Sequence, residues 1–278
     1  CFRSAVERDV KKIIQKIVRS TPGRFVAKKL FPARFRPNGR DLFLLETLRN
    51  KHLGKRCFVL GCGPSLNLQD VEKLRFEYTF ACNKIYLLFE KTQWRPSYYS
   101  CEDHLLVQNS LENIMSMDRT LKLFSTNVLR SMTHHKKLSE CFFYRHLPNH
   151  PIGEGFPGGF SYDMTKGVQW GSTITYSLIQ MAVYMGFKTI YLLGLDHFYI
   201  LPEKKCGRVY IDGGEQNHFH NAYRKPGERW HDPQPHVLEQ SYAYALEACC
   251  QVGVSVFNAS RRTMLNIFPR ISFDDIPF

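Results

Sequence analysis

"RCFVLGCGPSLNLQDVEKL", residues 56–74, is the stretch from which the fold can be read. Arg56 to Leu60 is a short apolar, β-favouring run and Leu68 to Leu74 has helical spacing, so Gly61 to Ser65 form a turn from a strand into a helix. The same strand, turn, helix pattern recurs downstream. Further strands are predicted in "YTFACN" (78–83), "SYYSC" (97–101), "LKLFST" (121–126) and "CFFYRH" (141–146). An apolar helix over "STITYSLIQMAVYMGF" (172–187), opened by Ser172 or Thr173 and closed by Gly186, leads into the buried strand of "KTIYLLGLDHFY" (188–199). From His236 another helix runs through Glu247, and "VSVFNAS" (254–260) supplies a last strand. This alternation predicts an α/β, Rossmann-like fold: a mainly parallel sheet with helices on both faces.

Around that frame, residues 1–50 read as a basic helical prefix and 51–278 as one catalytic domain. "GEGFPGGFSYDMTKGVQWGS" (153–172) reads as an ordered surface loop, and the polar, His-, Tyr- and Arg-rich segment 200–235 as a lid. The chain has 278 residues, 44% of them hydrophobic, enough for a sizeable core and far from the composition of disorder. Nine scattered cysteines without a C-x-x-C pair predict buried free thiols and a reducing, cytoplasmic setting, so the Asn258-Ala-Ser sequon is not expected to carry a glycan. No apolar run is long enough to span a membrane. A start at Cys1 instead of Met reads as a piece of a longer chain, which leaves room for an anchor upstream.

The net charge is +13, and much of it lies in the prefix. Ala5, Val6, Val10, Ile13, Ile14, Ile17 and Val18 recur at helical spacing, with Lys11, Lys12, Lys16 and Arg19 on the other face. Such a helix either lies peripherally on an anionic membrane surface or packs on the domain with a solvated basic face. Nucleic acid is not an expected partner, because zinc-finger spacing, RNP aromatics and a helix-turn-helix signature are all missing.

In an open parallel sheet, ligands bind beyond the carboxyl ends of the strands. Gly61 to Ser65, Cys82 and Asn83, Cys101 to Asp103, Gly194 to Tyr199 and Asn258 to Ser260 all fall at such ends and should converge on one crevice. Gly61 and Gly63 would admit a close ligand, and the helix start after them would offer N–H groups to a phosphate. Glu102 and Asp103 read either as contacts to a ribose or acceptor or as an exposed helix-start pair. His218 and His220, with acidic neighbours Asp212, Glu215 and Asp232, permit a metal site, but no H-E-x-x-H or C-x-x-C partner accompanies them, and none is expected.

Three ordered motifs, "GCGPSL" (61–66), "ACNKIY" (81–86) and "MGFKTIYLLGLDHFY" (185–199), resemble the bacterial sialyltransferases of glycosyltransferase family 42. More broadly they resemble a superfamily that includes motility-associated factors and hydroxymethylpterin pyrophosphokinase-like proteins. The resemblance implies a GT-A-type domain that binds a CMP-activated acidic sugar without a metal or other cofactor. It further implies that Gly61, Cys62, Gly63, Pro64 and Ser65 line the nucleotide phosphate and ribose, and that Asn83 bonds the nucleotide or sugar. Gly194 and Asp196 match the strand end facing the nucleotide, and Ser172 and Thr173 at the helix start are expected to contribute to the same site. Cys62 stands where the family has Asn, which removes an amide from the donor site. Tyr199 and Tyr210 would stabilise the departing phosphate, and His236, before the final helix, would be the general base, with His218 and His220 as alternatives.

The resulting expectation is an inverting glycosyltransferase moving a sugar from a nucleotide donor, such as CMP-linked sialic acid, to a glycan or lipid-linked glycan acceptor. Two rivals stand beside it: an ATP-dependent diphosphokinase acting on a pterin-like alcohol, and a non-catalytic nucleotide- or glycan-binding module. The sequence is compatible with a homo-oligomer.

Overall fold

The computed structural model describes residues 36–132, 136–147, 159–203, 205–207 and 209–278. The amphipathic stretch expected in the basic prefix and the first part of the Gly-rich loop lie outside the described residues.

In chain order the elements are α1 (Gly39–Leu48), β1 (Arg56–Leu60), α2 (Leu68–Lys73), β2 (Thr79–Cys82), β3 (Tyr98–Ser100), α3 (His104–Ser116), β4 (Leu121–Ser125), the one-turn α4 (Leu129–Met132) and β5 (Cys141–Tyr144). There follow β6 (His146–Leu147), β7 (Val168–Gln169), α5 (Ile174–Tyr184), β8 (Thr189–Leu193), β9 (Lys205–Cys206), β10 (Val209–Ile211), β11 (Arg229–His231), α6 (Pro235–Gln251) and β12 (Ser255–Asn258). The main sheet has seven strands in the order β12-β8-β1-β2-β3-β4-β5, and every pairing in it is parallel. All seven are strands that the sequence pattern predicts.

Both faces of the sheet are covered, as the unbroken apolar character of its strands requires. Along β1, Cys57 and Val59 point to one side, where α1, α5 and α6 supply Leu45, Leu178, Ile179, Leu238 and Ala245. Phe58 and Leu60 point to the other, onto Val71 of α2, Val107 and Ile114 of α3, and Phe273 from the C-terminal tail. A smaller antiparallel sheet, β11-β10-β9, forms the lid segment, and β6 pairs with β7. Six of the described cysteines are buried as free thiols, in line with their apolar settings, while Cys206 and Cys250 are exposed. No helix among the described residues is long and apolar enough to cross a membrane.

α5 sits against the centre of the sheet and its ends are set by local chemistry. Thr173 is the N-cap, its hydroxyl accepting from the Thr175 N–H at 3.3 Å, and Gly186 closes the helix at φ +85°. Thr173→Ala is therefore expected to cost about 1 kcal/mol in a urea unfolding measurement.

Candidate functional site

The sheet order places the topological switch between β1 and β8: from β1 the chain proceeds to β2 on one side, while β8 packs on the other. The two loops that leave these strands meet there. A Cβ on Gly61 would lie 2.6 Å from the Gly194 carbonyl oxygen, and one on Gly63 would lie 2.1 Å from Asp196 Oδ2. Gly61 N–H donates to Leu193 O at 2.8 Å and Gly63 N–H to Gly194 O at 2.9 Å. The Asp196 carboxylate accepts from the Ser65 N–H at 3.1 Å and from its hydroxyl at 2.8 Å. Burial pushes the Asp196 carboxyl above its ordinary range although these Ser65 bonds pull it down.

This geometry corrects the expected phosphate cradle. The glycines serve the close approach of two protein loops, and their amides are engaged by protein carbonyls. The Asp196 carboxylate occupies the amide and hydroxyl of Ser65 that an anion would need. Pro64 and Ser65 are not among the residues lining the adjoining cavity, whereas Gly61, Cys62, Gly63, Gly194 and Asp196 are. The Cys62 thiol donates weakly to the Cys82 carbonyl.

That cavity, of about 180 Å³, is the smaller lobe of the crevice. Its other walls include Asn83, Thr173, Tyr199, His218, Tyr223 and Tyr242. Asn83 holds the left-handed conformation at φ +53°, which Asn tolerates better than most residues, and its carbonyl accepts from the Tyr99 hydroxyl at 2.7 Å. His218 stacks on Tyr223, ring centres 3.6 Å apart. Burial, reinforced by the charges of Arg224 and Lys84, holds the His218 imidazole well below its usual pKa, so it is neutral near pH 7. None of the residues lining this lobe is a lysine or arginine.

The larger lobe, about 740 Å³, shares Asn83, Thr173, Tyr199 and His218 with the smaller. It continues past Ser172, which has φ +61°, to Glu102, Trp170 and the lid residues Arg224, Trp230 and His231. Burial lifts the Glu102 carboxyl to about 7, with the Tyr144 hydroxyl donating to it at 2.8 Å. Asp103 is the N-cap of α3 and takes the Leu105 N–H at 2.8 Å, so the helix-start reading holds for it, while both acids also line the lobe.

Lys84, at the end of β2, fastens the lid. Only 6% exposed, its ammonium donates to the Tyr223 carbonyl at 2.6 Å and to Glu228 at 2.8 Å. Burial raises the Glu228 carboxyl, but the Lys84 hydrogen bond and charge outweigh it and bring it below its ordinary value. Phe219 N–H adds a bond to the Cys62 carbonyl.

The structure does not bring His236, Tyr210 and His220 to the crevice. His236 is exposed on the first turn of α6 and lines neither lobe. Tyr210 is buried in the lid sheet against Trp230, ring centres 5.3 Å apart. His220 uses its Nδ1 to accept from the Ala222 N–H, capping a short turn. Sequence reasoning placed no function on Asn217 or Trp170, which line the lobes; neither carries a motif signal, Asn217 being brought there by the folded lid and Trp170 by the chain leaving β7.

A family model described as 6-hydroxymethylpterin diphosphokinase MptE-like matches residues 36–200, more than half of the chain. The chain belongs to this MptE-like family. The match takes in the β1 turn, Asn83, Glu102 and the β8 end, but not the lid beyond residue 200 or α6. No curated protein matches this MptE-like chain. Among solved structures, the sialyltransferase CstII from Campylobacter jejuni in complex with cytidine-5'-monophosphate is 13% identical, with a TM-score of 0.43, covering 81% of this chain and 88% of that one. The same enzyme with CMP-3FNeuAc gives a TM-score of 0.41 at 13% identity and the same coverage. A dehydrogenase/reductase from Sinorhizobium meliloti 1021 is 11% identical, with a TM-score of 0.26 and coverage of 82% and 79%. Likeness this distant carries no argument about function.

Proposed function

We propose that the protein is a transferase that binds a nucleotide-activated acidic sugar, of the CMP-linked type, with its phosphate in the smaller lobe, and transfers the sugar to a hydroxyl acceptor in the larger one. One observation carries this reading: the smaller lobe lacks lysine and arginine and presents Asn83, Thr173, Tyr199 and the neutral His218, while the Asp196 carboxylate suits a hydroxyl or amine of the nucleoside and not its phosphate. Neutral donors suit a single ionised phosphate, whereas a triphosphate needs cations to offset its charge. The reading needs no metal at the donor phosphate.

In the proposed step the acceptor oxygen bonds to the anomeric carbon as the bond from that carbon to the phosphate oxygen breaks. The acceptor proton passes to His218, and the nucleoside monophosphate leaves with the electron pair. His218 lines both lobes, between donor and acceptor. Its low basicity in the free protein is offset when the phosphate anion arrives, because a nearby negative charge favours the imidazolium. Tyr199, which also lines both lobes, would donate to the departing phosphate. A glycan or lipid-linked acceptor, and contact of the basic prefix with an anionic membrane surface, belong to the same proposal and rest on charge pattern alone.

A second reading, diphosphoryl transfer from ATP to a pterin-like alcohol, takes its support from the name of the family. Incubation with a panel of CMP-sugars and acceptor glycans, and separately with ATP, magnesium and a hydroxymethylpterin, distinguishes the two. Release of CMP matched by a glycosylated product supports the first. AMP release with a diphosphorylated alcohol overturns it in favour of the second.

A further inference from the structure

The wall of the larger lobe holds a group of side chains that the transfer reading does not use. Asp103, His104 and His231 each bring one ligand atom to a common point, all within 4.8 Å of one another. Among the described residues no other three His, Cys, Asp or Glu side chains converge in this way. His231 Nδ1 lies 3.2 Å from the Asp103 carboxylate, and the His104 and His231 ring centres are 5.1 Å apart. The residues come from two separate parts of the fold: Asp103 and His104 begin α3 on the sheet body, and His231 ends β11 of the lid. All three line the cavity, so coordination positions not taken by protein open into it.

We propose that these three residues bind one divalent transition-metal ion, and that the ion joins the lid to the body. Two imidazoles and one carboxylate select zinc, cobalt or iron over magnesium, which prefers an all-oxygen shell. The ion would take the place of the contact between His231 Nδ1 and the Asp103 carboxylate. A cation beside the positive end of α3 is opposed by the helix dipole, and the Asp103 charge at the cap offsets that opposition. The site adds a second fastening to the Lys84–Glu228 pair, which holds the same lid from the β2 side.

The proposal stands on these three residues and not on the identity of the donor. Its test titrates the metal-free protein with Co2+, without nucleotide, and reads the visible absorption of the ion. The expected result is one ion per chain with ligand-field bands that Zn2+ displaces and magnesium does not. His104→Ala and His231→Ala should each weaken binding by at least the ~10–100-fold that even outer-shell partners cost. Asp103→Asn keeps the helix cap, because Asn caps as well as Asp, and should weaken Co2+ binding with an unchanged melting temperature of the metal-free protein. Limited proteolysis with trypsin should also show slower cleavage after Arg229 when Zn2+ is present. Absence of a specific Co2+ spectrum, or one that all three variants retain, overturns the site. Failure of CMP binding with an intact Co2+ spectrum would instead count against the donor reading alone.

Discussion

His218→Gln is expected to lower the rate of sugar transfer by roughly 100- to 10,000-fold while CMP affinity stays within a few-fold, the signature of a lost proton acceptor. Gln keeps a hydrogen-bonding side chain of similar reach beside Tyr223 but cannot take the proton. A steady-state comparison of kcat and KM checks this, and equal losses in CMP affinity and rate would contradict it. The substitution also has a stability signature with a definite sign. Burial and the charges of Arg224 and Lys84 depress the imidazole below its ordinary value, and the face of the ring is taken by Tyr223. Above a pH of about 6.5 the group is neutral in both the folded and the unfolded chain and contributes nothing. Below that, the unfolded chain binds a proton that the folded site refuses, so folding stability is lost as pH falls, by up to about 1.4 kcal/mol per pH unit. Without the imidazole this loss disappears. Urea unfolding at about pH 7 and about pH 5 should therefore show the stability difference shifting in favour of His218→Gln at the lower pH.

The second large effect is expected at Lys84→Met. Its ammonium is buried and the Glu228 carboxylate is half-buried, with side-chain exposures of 8% and 14%. Removing the ammonium leaves the Tyr223 carbonyl without it and Glu228 with only the Asn109 amide and the Lys225 N–H, at a cost of about 3 kcal/mol, the lower end for a buried pair. The cost falls first on the lid, which should become susceptible to proteolysis and lose its contribution to nucleotide binding. Lys84→Met combined with Glu228→Leu should recover much of the loss, because a buried ion pair replaced on both sides by apolar groups is often close to neutral. A loss below about 1 kcal/mol for the single variant would show that the lid is held elsewhere.

Most of the fold was legible because the central sheet strands are buried on both faces and, like the half-exposed edge strand β12, read as short apolar runs before a turn. The crevice was legible for the same reason, since its walls are strand ends. The lid sheet was not: β9, β10 and β11 are two or three residues long in a polar segment, and pairing across it carries no period. His236 shows a different gap. The buried positions of α6 are Val237, Leu238, Ser241, Tyr242, Ala245, Ala248 and Cys249, and the exposed ones include His236, Gln240, Ala243, Glu247 and Cys250. That helical stripe places His236 towards solvent, and the periodicity was already present in the sequence. The glycines of the first turn were read as ligand contacts, whereas the close approach that requires them is to Gly194 and Asp196, which lie far away in sequence.

The most direct test of the central claim is the shift in melting temperature on adding CMP with EDTA, set beside ATP with magnesium. A concentration-dependent rise with CMP in EDTA is the predicted result. A rise with ATP and magnesium and none with CMP would contradict the account.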